Sequence, residues 1–334
     1  MRTVQDDRAP NPTVHRTLPG MNEARVAEIL SWYAHENLGV RTNLARLLMH
    51  GRLSGSGKLV ILPVDQGFEH GPARSFAMNP AAYDPRYHLD LAYEAGCSGF
   101  AASRAFLQAG ISNPAHLMPT IMKINSSDSL VSLPDPIPSM TSEVKAAAAL
   151  GCVAVGFTIY PGSTARNTMY QQLAEVAAAA TDLGLVVVVW SYPRGSGLSD
   201  EGETAVDVVA YAAQIASQMG AHIIKVKPPT AHIEFDANRS ALANAGTATT
   251  TLAQRVAHVV QSAFDGRRIV IFSGGAAKDR ESVLDENLQT AAGGGFGTIM
   301  GRNTFQRPRM EALRLLHDVM QIHAGTTRGA DHLS

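Results

Sequence analysis

The chain contains six lysines, Lys58, Lys123, Lys145, Lys225, Lys227 and Lys278, and three of them stand in runs that otherwise read as apolar strands. In HIIKVK, from His222 to Lys227, a period of two puts Ile223, Lys225 and Lys227 on one face and Ile224 and Val226 on the other. If Ile224 and Val226 meet covering helices, the lysines point into the interior of a closed sheet. An ammonium held there must be paired or lose its charge, because desolvation or a neighbouring cation moves a lysine from about 10.4 toward neutrality. The neutral amine is a nucleophile, the state that forms a Schiff base with a ketone or aldehyde. The competing structural reading is that Lys225 is salt-bridged to an interior carboxylate, or that the strand ends early and Lys227 reaches solvent.

The company of these lysines bears on the choice. Asp65 ends the run LVILPVD, Lys123 and Asn125 end TIMKIN, and Trp190 with Tyr192 ends LVVVVWSY. In that setting Asp65 could pair with a lysine and place protons, Lys123 could depress Lys225, and Tyr192 could act as a general acid and base. The plainer alternatives are Asp65 as a loop cap and Trp190 as core, since Val186, Val188 and Trp190 share one parity. Two later runs end in Ser273-Gly274-Gly275 and in Gly301-Arg302, where backbone N–H groups, a helix start and a fixed cation suit a phosphate. Arg74, Arg104 and Lys278 are candidates for a second phosphate. The twelve histidines show no H-x-H or H-E-x-x-H spacing, and only His70 follows a strand on the loop side, so no metal site and no cofactor are expected.

Eight short β-branched or apolar runs must position these groups: Leu59 to Asp65, Gly99 to Ala102, Thr120 to Asn125, Cys152 to Tyr160, Leu185 to Tyr192, His222 to Lys227, Arg268 to Gly274 and Phe296 to Gly301. They alternate with Ala/Leu-rich helical segments, the mark of repeated βα units, and eight is the number that closes a barrel. Helices run into strands through short turns at Gly96, Gly151, Gly184, Gly220 and Gly266, whereas the segments after strands are long and rich in Pro and Gly. Long loops on one face of a barrel mark its active face. A doubly wound sheet is the alternative, but no strand is followed by G-x-G-x-x-G with an acid about 20 residues on. The reading is an α/β chain forming a (β/α)8 TIM barrel over residues 59–325. A helical lid over one barrel end precedes it at 21–58, with one helix from Asn22 and another from Thr42 to Gly51; a Pro-rich arm occupies 1–20 and a tail 326–334.

Composition fits a folded globular protein: 334 residues, 45% hydrophobic and 17% charged. With 28 Lys plus Arg against 29 Asp plus Glu and a net charge of -1, nothing points to nucleic acid. The longest apolar run, around Leu183 to Trp190, is too short to span a bilayer, and the first twenty residues lack a signal-peptide core. Cys97 and Cys152 form no C-x-x-C motif and read as core thiols in a reducing compartment, so a cytoplasmic location is expected.

The blocks LPVDQGFEHGPARSFAMNPAAYDP (Leu62 to Pro85), WSYPRG (Trp190 to Gly195), GAHIIKVK (Gly220 to Lys227) and IFSGGAA (Ile271 to Ala277) together resemble the class I fructose-bisphosphate aldolases of the bacterial and archaeal type, over residues 43 to 325. The resemblance implies a decameric or similarly oligomeric barrel, independent of metal, acting on fructose 1,6-bisphosphate. By position it implies Lys225 as the Schiff-base lysine, Tyr192 as the proton-transfer tyrosine, Asp65 and Trp190 as their neighbours, and Ser273, Gly274, Gly275, Gly301 and Arg302 as phosphate loops. Lys227 falls where the family varies, and Gln66 stands where archaeal members have His. Two other functions stay open at this point: another Schiff-base aldolase or transferase on a different phosphosugar, and a barrel that binds a phosphosugar without turning it over.

Overall fold

The computed structural model describes residues 23–111, 117–273 and 277–325. The arm at 1–20, the tail at 326–334 and the glycines Gly274 and Gly275 lie outside the described residues. Eight parallel strands close into a barrel: β1 (Leu59–Val64), β2 (Gly99–Ser103), β3 (Thr120–Lys123), β4 (Ala154–Ile159), β5 (Val186–Ser191), β6 (Ile223–Val226), β7 (Ile269–Phe272) and β8 (Gly297–Ile299). Each strand pairs with its sequence neighbours, and β8 closes on β1 through Leu59 opposite Gly297. All eight runs named from the sequence are strands of this barrel.

The strands are buried on both faces, as a parallel sheet under helices requires. One parity faces the helices: Val60, Leu62, Val187, Val189, Ile224 and Val226 belong to the outer core. The other parity, including Leu59, Ile61, Val186, Val188, Ile223 and Ile269, fills the barrel. Burying such side chains stabilises by about 1.5–3 kcal/mol each, so this alternation is strongly fixed. It settles the orientation of Lys225, which shares the parity of Ile223. Helix–strand turns use the left-handed conformation; at Gly96 φ is 74°, and a side chain there would meet Arg52 Cγ at 2.7 Å.

Two helices precede β1: α1 (Glu23–Ser31) and α2 (Leu38–Leu48). The second begins four residues before the start at Thr42 that apolar spacing implies, because Asn37 caps it, accepting from the Val40 N–H at 3.0 Å. Val26, Ile29, Leu44, Leu47 and Leu48 join the barrel's inner cluster at the N-terminal ends of the strands. Tyr33, fully buried, donates to the His222 carbonyl at 2.7 Å and accepts from the Ile269 N–H at 3.2 Å. His222, at the start of the run containing β6, accepts from the Val187 N–H through Nδ1 and lies 3.2 Å from Glu36. The C-terminal ends of the strands form the opposite rim.

At that rim β3 ends at Lys123, shorter than the run TIMKIN, and the chain turns into an antiparallel ladder of Asn125–Ser126 with Ser139–Met140. Asn125 substitutes for a strand partner: its amide donates to the Thr158 carbonyl and accepts from the Thr158 N–H, at 2.9 and 2.7 Å. Tyr33→Phe should remove two buried hydrogen bonds while keeping the ring's packing. It is expected to lower unfolding free energy by about 2–4 kcal/mol in urea denaturation, with the active rim unaffected. Wild-type stability in that variant would contradict the role assigned to the hydroxyl.

Candidate active site

The strand C-termini open into a cleft of about 890 Å³. Its lining includes Asp65, Tyr192, Lys225, Ser273, Gly301 and Arg302, six of the site residues expected from sequence. Lys123 and Trp190 lie beneath it, each almost fully buried.

Lys225 extends from β6 on the inward parity and is 4% exposed. Its Nζ stands 5.4 Å from the ring centroids of both Trp190 and Tyr192. Burial lowers its pKa to about 8, with Lys123 and Arg302 adding to the effect and Asp65 and Glu69 opposing it. Lys123 takes the interior carboxylates instead: its Nζ lies 2.8 Å from Asp65 Oδ2 and contacts Glu69 as well. Burial alone would lower the pKa of Lys123, but these carboxylates outweigh it and hold the ammonium above the usual lysine range. Asp65 shows the mirror image, with burial opposed by Lys123 and Lys225, which keep the carboxyl below its ordinary value. The salt-bridge reading of an interior lysine thus applies to Lys123, while among the described residues Lys225 has no ion-pair partner.

Trp190 combines both readings given to it. It is packed with the inner apolar cluster, and its ring also faces Lys225 at 5.4 Å and Lys123 at 5.9 Å. Space for the indole comes from Gly156 on β4, where a Cβ would lie 2.4 Å from Trp190 Cζ3. Tyr192 is pushed well above the usual phenol range by burial, against a hydrogen bond with Ser273, so it carries its proton throughout the neutral range. Asp65 Oδ1 is buried with no hydrogen-bond partner among the described residues. Such a group is costly unless a ligand or water completes it.

Gly301 lies where β8 meets the helix Arg302–Phe305; a Cβ there would meet Gln66 Nε2 at 2.7 Å and the Pro63 carbonyl at 2.9 Å. Sequence reasoning misses Arg194 and Glu69, both of which line the cleft. Arg194 follows Tyr192 by two residues on the loop after β5, and Glu69 follows Asp65 by four, so strand-end position is the available signal for each. Of the second-phosphate candidates, Lys278 is engaged by Glu286, and neither it nor Arg104 lines the cleft; Arg74 lies close enough to Arg302 and His70 to depress both. Lys227 lines the cleft 3.6 Å from Glu203. Among the described residues no three His, Cys, Asp or Glu side chains gather as a metal-binding group, and no helix is long and apolar enough to cross a membrane.

The arrangement is a buried amine of lowered basicity beside an ionised carboxylate and a neutral phenol, with Lys227, Arg194 and Arg302 along the opening. The profile of the DeoC/LacD family of aldolases matches residues 59–307, from β1 to just beyond the Arg302–Phe305 helix. A Chlamydia muridarum protein named "Probable fructose-bisphosphate aldolase class 1" is 34% identical over 303 residues, covering 87% of this chain and 86% of that protein. The class 1 fructose-bisphosphate aldolase of Thermoproteus tenax is 34% identical over 279 residues, covering 83% and 94%. A solved archaeal fructose-1,6-bisphosphate aldolase, with its catalytic lysine covalently bound to the carbinolamine intermediate of the substrate, superposes with a TM-score of 0.71 at 32% identity, covering 85% of this chain and 99% of that one. The match runs through every strand of the barrel and both lysine-bearing strands, and the chain belongs to the DeoC/LacD family of aldolases.

Proposed function

We propose that this protein is a class I fructose-bisphosphate aldolase, a lyase that reversibly cleaves fructose 1,6-bisphosphate to dihydroxyacetone phosphate and glyceraldehyde 3-phosphate through a Schiff base on Lys225. The observation that carries this reading is the state of Lys225: buried, open to the cleft, without an ion pair among the described residues, and with its pKa lowered to about 8. At pH 7 roughly a tenth of such a lysine is neutral, several hundred times the fraction of an unperturbed one. Similarity to class 1 aldolases and to the trapped carbinolamine structure supports the same chemistry.

The neutral Nζ attacks C2 of the open-chain ketose, and the carbinolamine loses water to give an iminium. The C3–C4 bond then breaks, its electron pair moving toward the iminium nitrogen to form an enamine while the C4 hydroxyl gives up its proton. A water held by Oδ1 of the ionised Asp65 takes that proton; the neutral phenol of Tyr192 gives its own proton to C3 of the enamine after the aldehyde leaves and is re-protonated through the same water. Hydrolysis of the iminium frees the ketone phosphate and returns the lysine. The indole of Trp190 beneath Nζ supplies an apolar wall that keeps the amine desolvated. Ser273, Gly301 and Arg302 cradle one phosphate, a role the resemblance extends to Gly274 and Gly275, and Arg194 with Lys227 faces the other.

By the resemblance, the active form is a homo-oligomer, a decamer or a similar closed assembly, working in the cytoplasm where the unpaired thiols Cys97 and Cys152 stay reduced. Light scattering should return a multiple of the 35.5 kDa chain, and a monomer at working concentration would refute the assembly.

Lys225→Ala should abolish cleavage of fructose 1,6-bisphosphate in a coupled assay run with a chelator, with an unchanged circular dichroism spectrum; near-wild-type turnover would sink the assignment. Tyr192→Phe should lower kcat by about 10²–10⁴-fold while an imine still forms on Lys225, and loss of the imine together with turnover would place the tyrosine in an earlier step. Below the Lys225 pKa of about 8 the ammonium dominates. Imine formation should therefore rise with pH through that value and level off above it; a rate that is flat from pH 6 to 9 would contradict the lowered basicity.

A further inference from the structure

The reaction scheme leaves one half-buried carboxyl of the site without a role. Glu69, at the end of the short helix Gln66–Glu69, contacts the same Lys123 ammonium as Asp65 does. The three side chains differ in access: Lys123 is 2% exposed and Asp65 6%, whereas Glu69 is 21% exposed; both carboxylates line the cleft. One ammonium neutralises one carboxylate. With Glu69 ionised, the space around Lys225 holds one negative charge that Lys123 does not cancel, and with Glu69 protonated it holds none.

The charged and titratable groups acting on Lys225 come from four directions: Asp65 and Glu69 from the segment after β1, Lys123 from β3, Tyr192 beside β5 and Arg302 after β8. Lys123 and Arg302 are held as cations, Asp65 as an anion and Tyr192 as a neutral phenol. Glu69 differs from all four, because burial and the neighbouring Asp65 push its carboxyl upward while Lys123, in contact with it, pulls the other way. Tyr160, Tyr192 and Arg302 also feel its charge.

On the reading of Lys225 as the Schiff-base nucleophile, we propose that Glu69 is a positioning residue whose charge, shared with Asp65 across Lys123, sets the pH range in which Lys225 is nucleophilic. An ionised Glu69 favours the ammonium and delays loss of its proton. Its place on the cleft wall makes the charge responsive to what occupies the cleft, since a bound phosphosugar excludes the water that stabilises the carboxylate.

The test is the pH dependence of borohydride-trapped adduct on Lys225, formed from dihydroxyacetone phosphate by the full-length protein. Glu69→Gln keeps an oxygen to accept from Lys123 and removes only the charge. Its midpoint should fall by about one pH unit, the size expected for one unit charge removed from a protein interior. Glu69→Asp, which retains the charge, should stay near the wild-type midpoint. If the glutamine variant does not fold, Glu69→Ala removes the charge without burying an amide and should show the same downward shift. An unchanged midpoint in a folded, charge-removed variant that still forms the adduct overturns the proposal and leaves the aldolase reading standing. No adduct in the wild-type protein at any pH would remove that reading itself.

Discussion

The site depends on the buried ion pair between Lys123 and Asp65. Two lysines point into one barrel interior, and burying an ammonium without a counter-ion costs several kcal/mol. The 2.8 Å Nζ–Oδ2 contact commits one oxygen of Asp65 to Lys123 and raises that lysine's basicity, leaving Lys225 with the electrostatic influence of the cluster but no ion-pair partner among the described residues. One lysine stays charged so that the other need not. The two lysines have different surroundings: Lys225 lies opposite Trp190 and Ile271, which offer an aromatic ring and an aliphatic chain, while the side chain of Lys123 reaches Asp65 and Glu69 from the segment after β1.

Holding that arrangement requires a frame with little freedom. The lower barrel is filled by aliphatic side chains from alternating strand positions and by the apolar faces of α1 and α2, so the inner surface cannot slip by one residue without exposing a full set of Val and Ile side chains. Tyr33 and Asn125 fix the two ends of the strands through hydrogen bonds to backbone groups that the ladders leave unpaired. Gly156 belongs to the same design, because its missing side chain makes room for the indole of Trp190 beside the lysines. A polar cluster at the rim is tolerable because the apolar layers beneath supply the stability.

Much of this is legible in the residue order. The period of two in HIIKVK puts Lys225 on the face opposite Ile224 and Val226, and the eight apolar runs correspond to the eight strands of the closed barrel. What the residue order leaves open has a common cause: it depends on contacts between segments far apart in sequence, or on side chains that compete with the backbone. That Asp65 pairs with Lys123 and leaves Lys225 alone is a matter of side-chain reach across the barrel, not of strand parity. Asn37 as a cap starts α2 four residues upstream of its apolar spacing, and the turn of Asn125 into a separate ladder shortens β3. Lys278 has the charge to hold a phosphate, but Glu286, eight residues on in the following helix, engages it.

The most direct test of the account is borohydride trapping with dihydroxyacetone phosphate in the presence of a chelator, followed by peptide mass mapping. The account predicts a single reduced adduct on Lys225. An adduct on Lys123 or Lys227, or none in a folded protein that binds the phosphosugar, would contradict it.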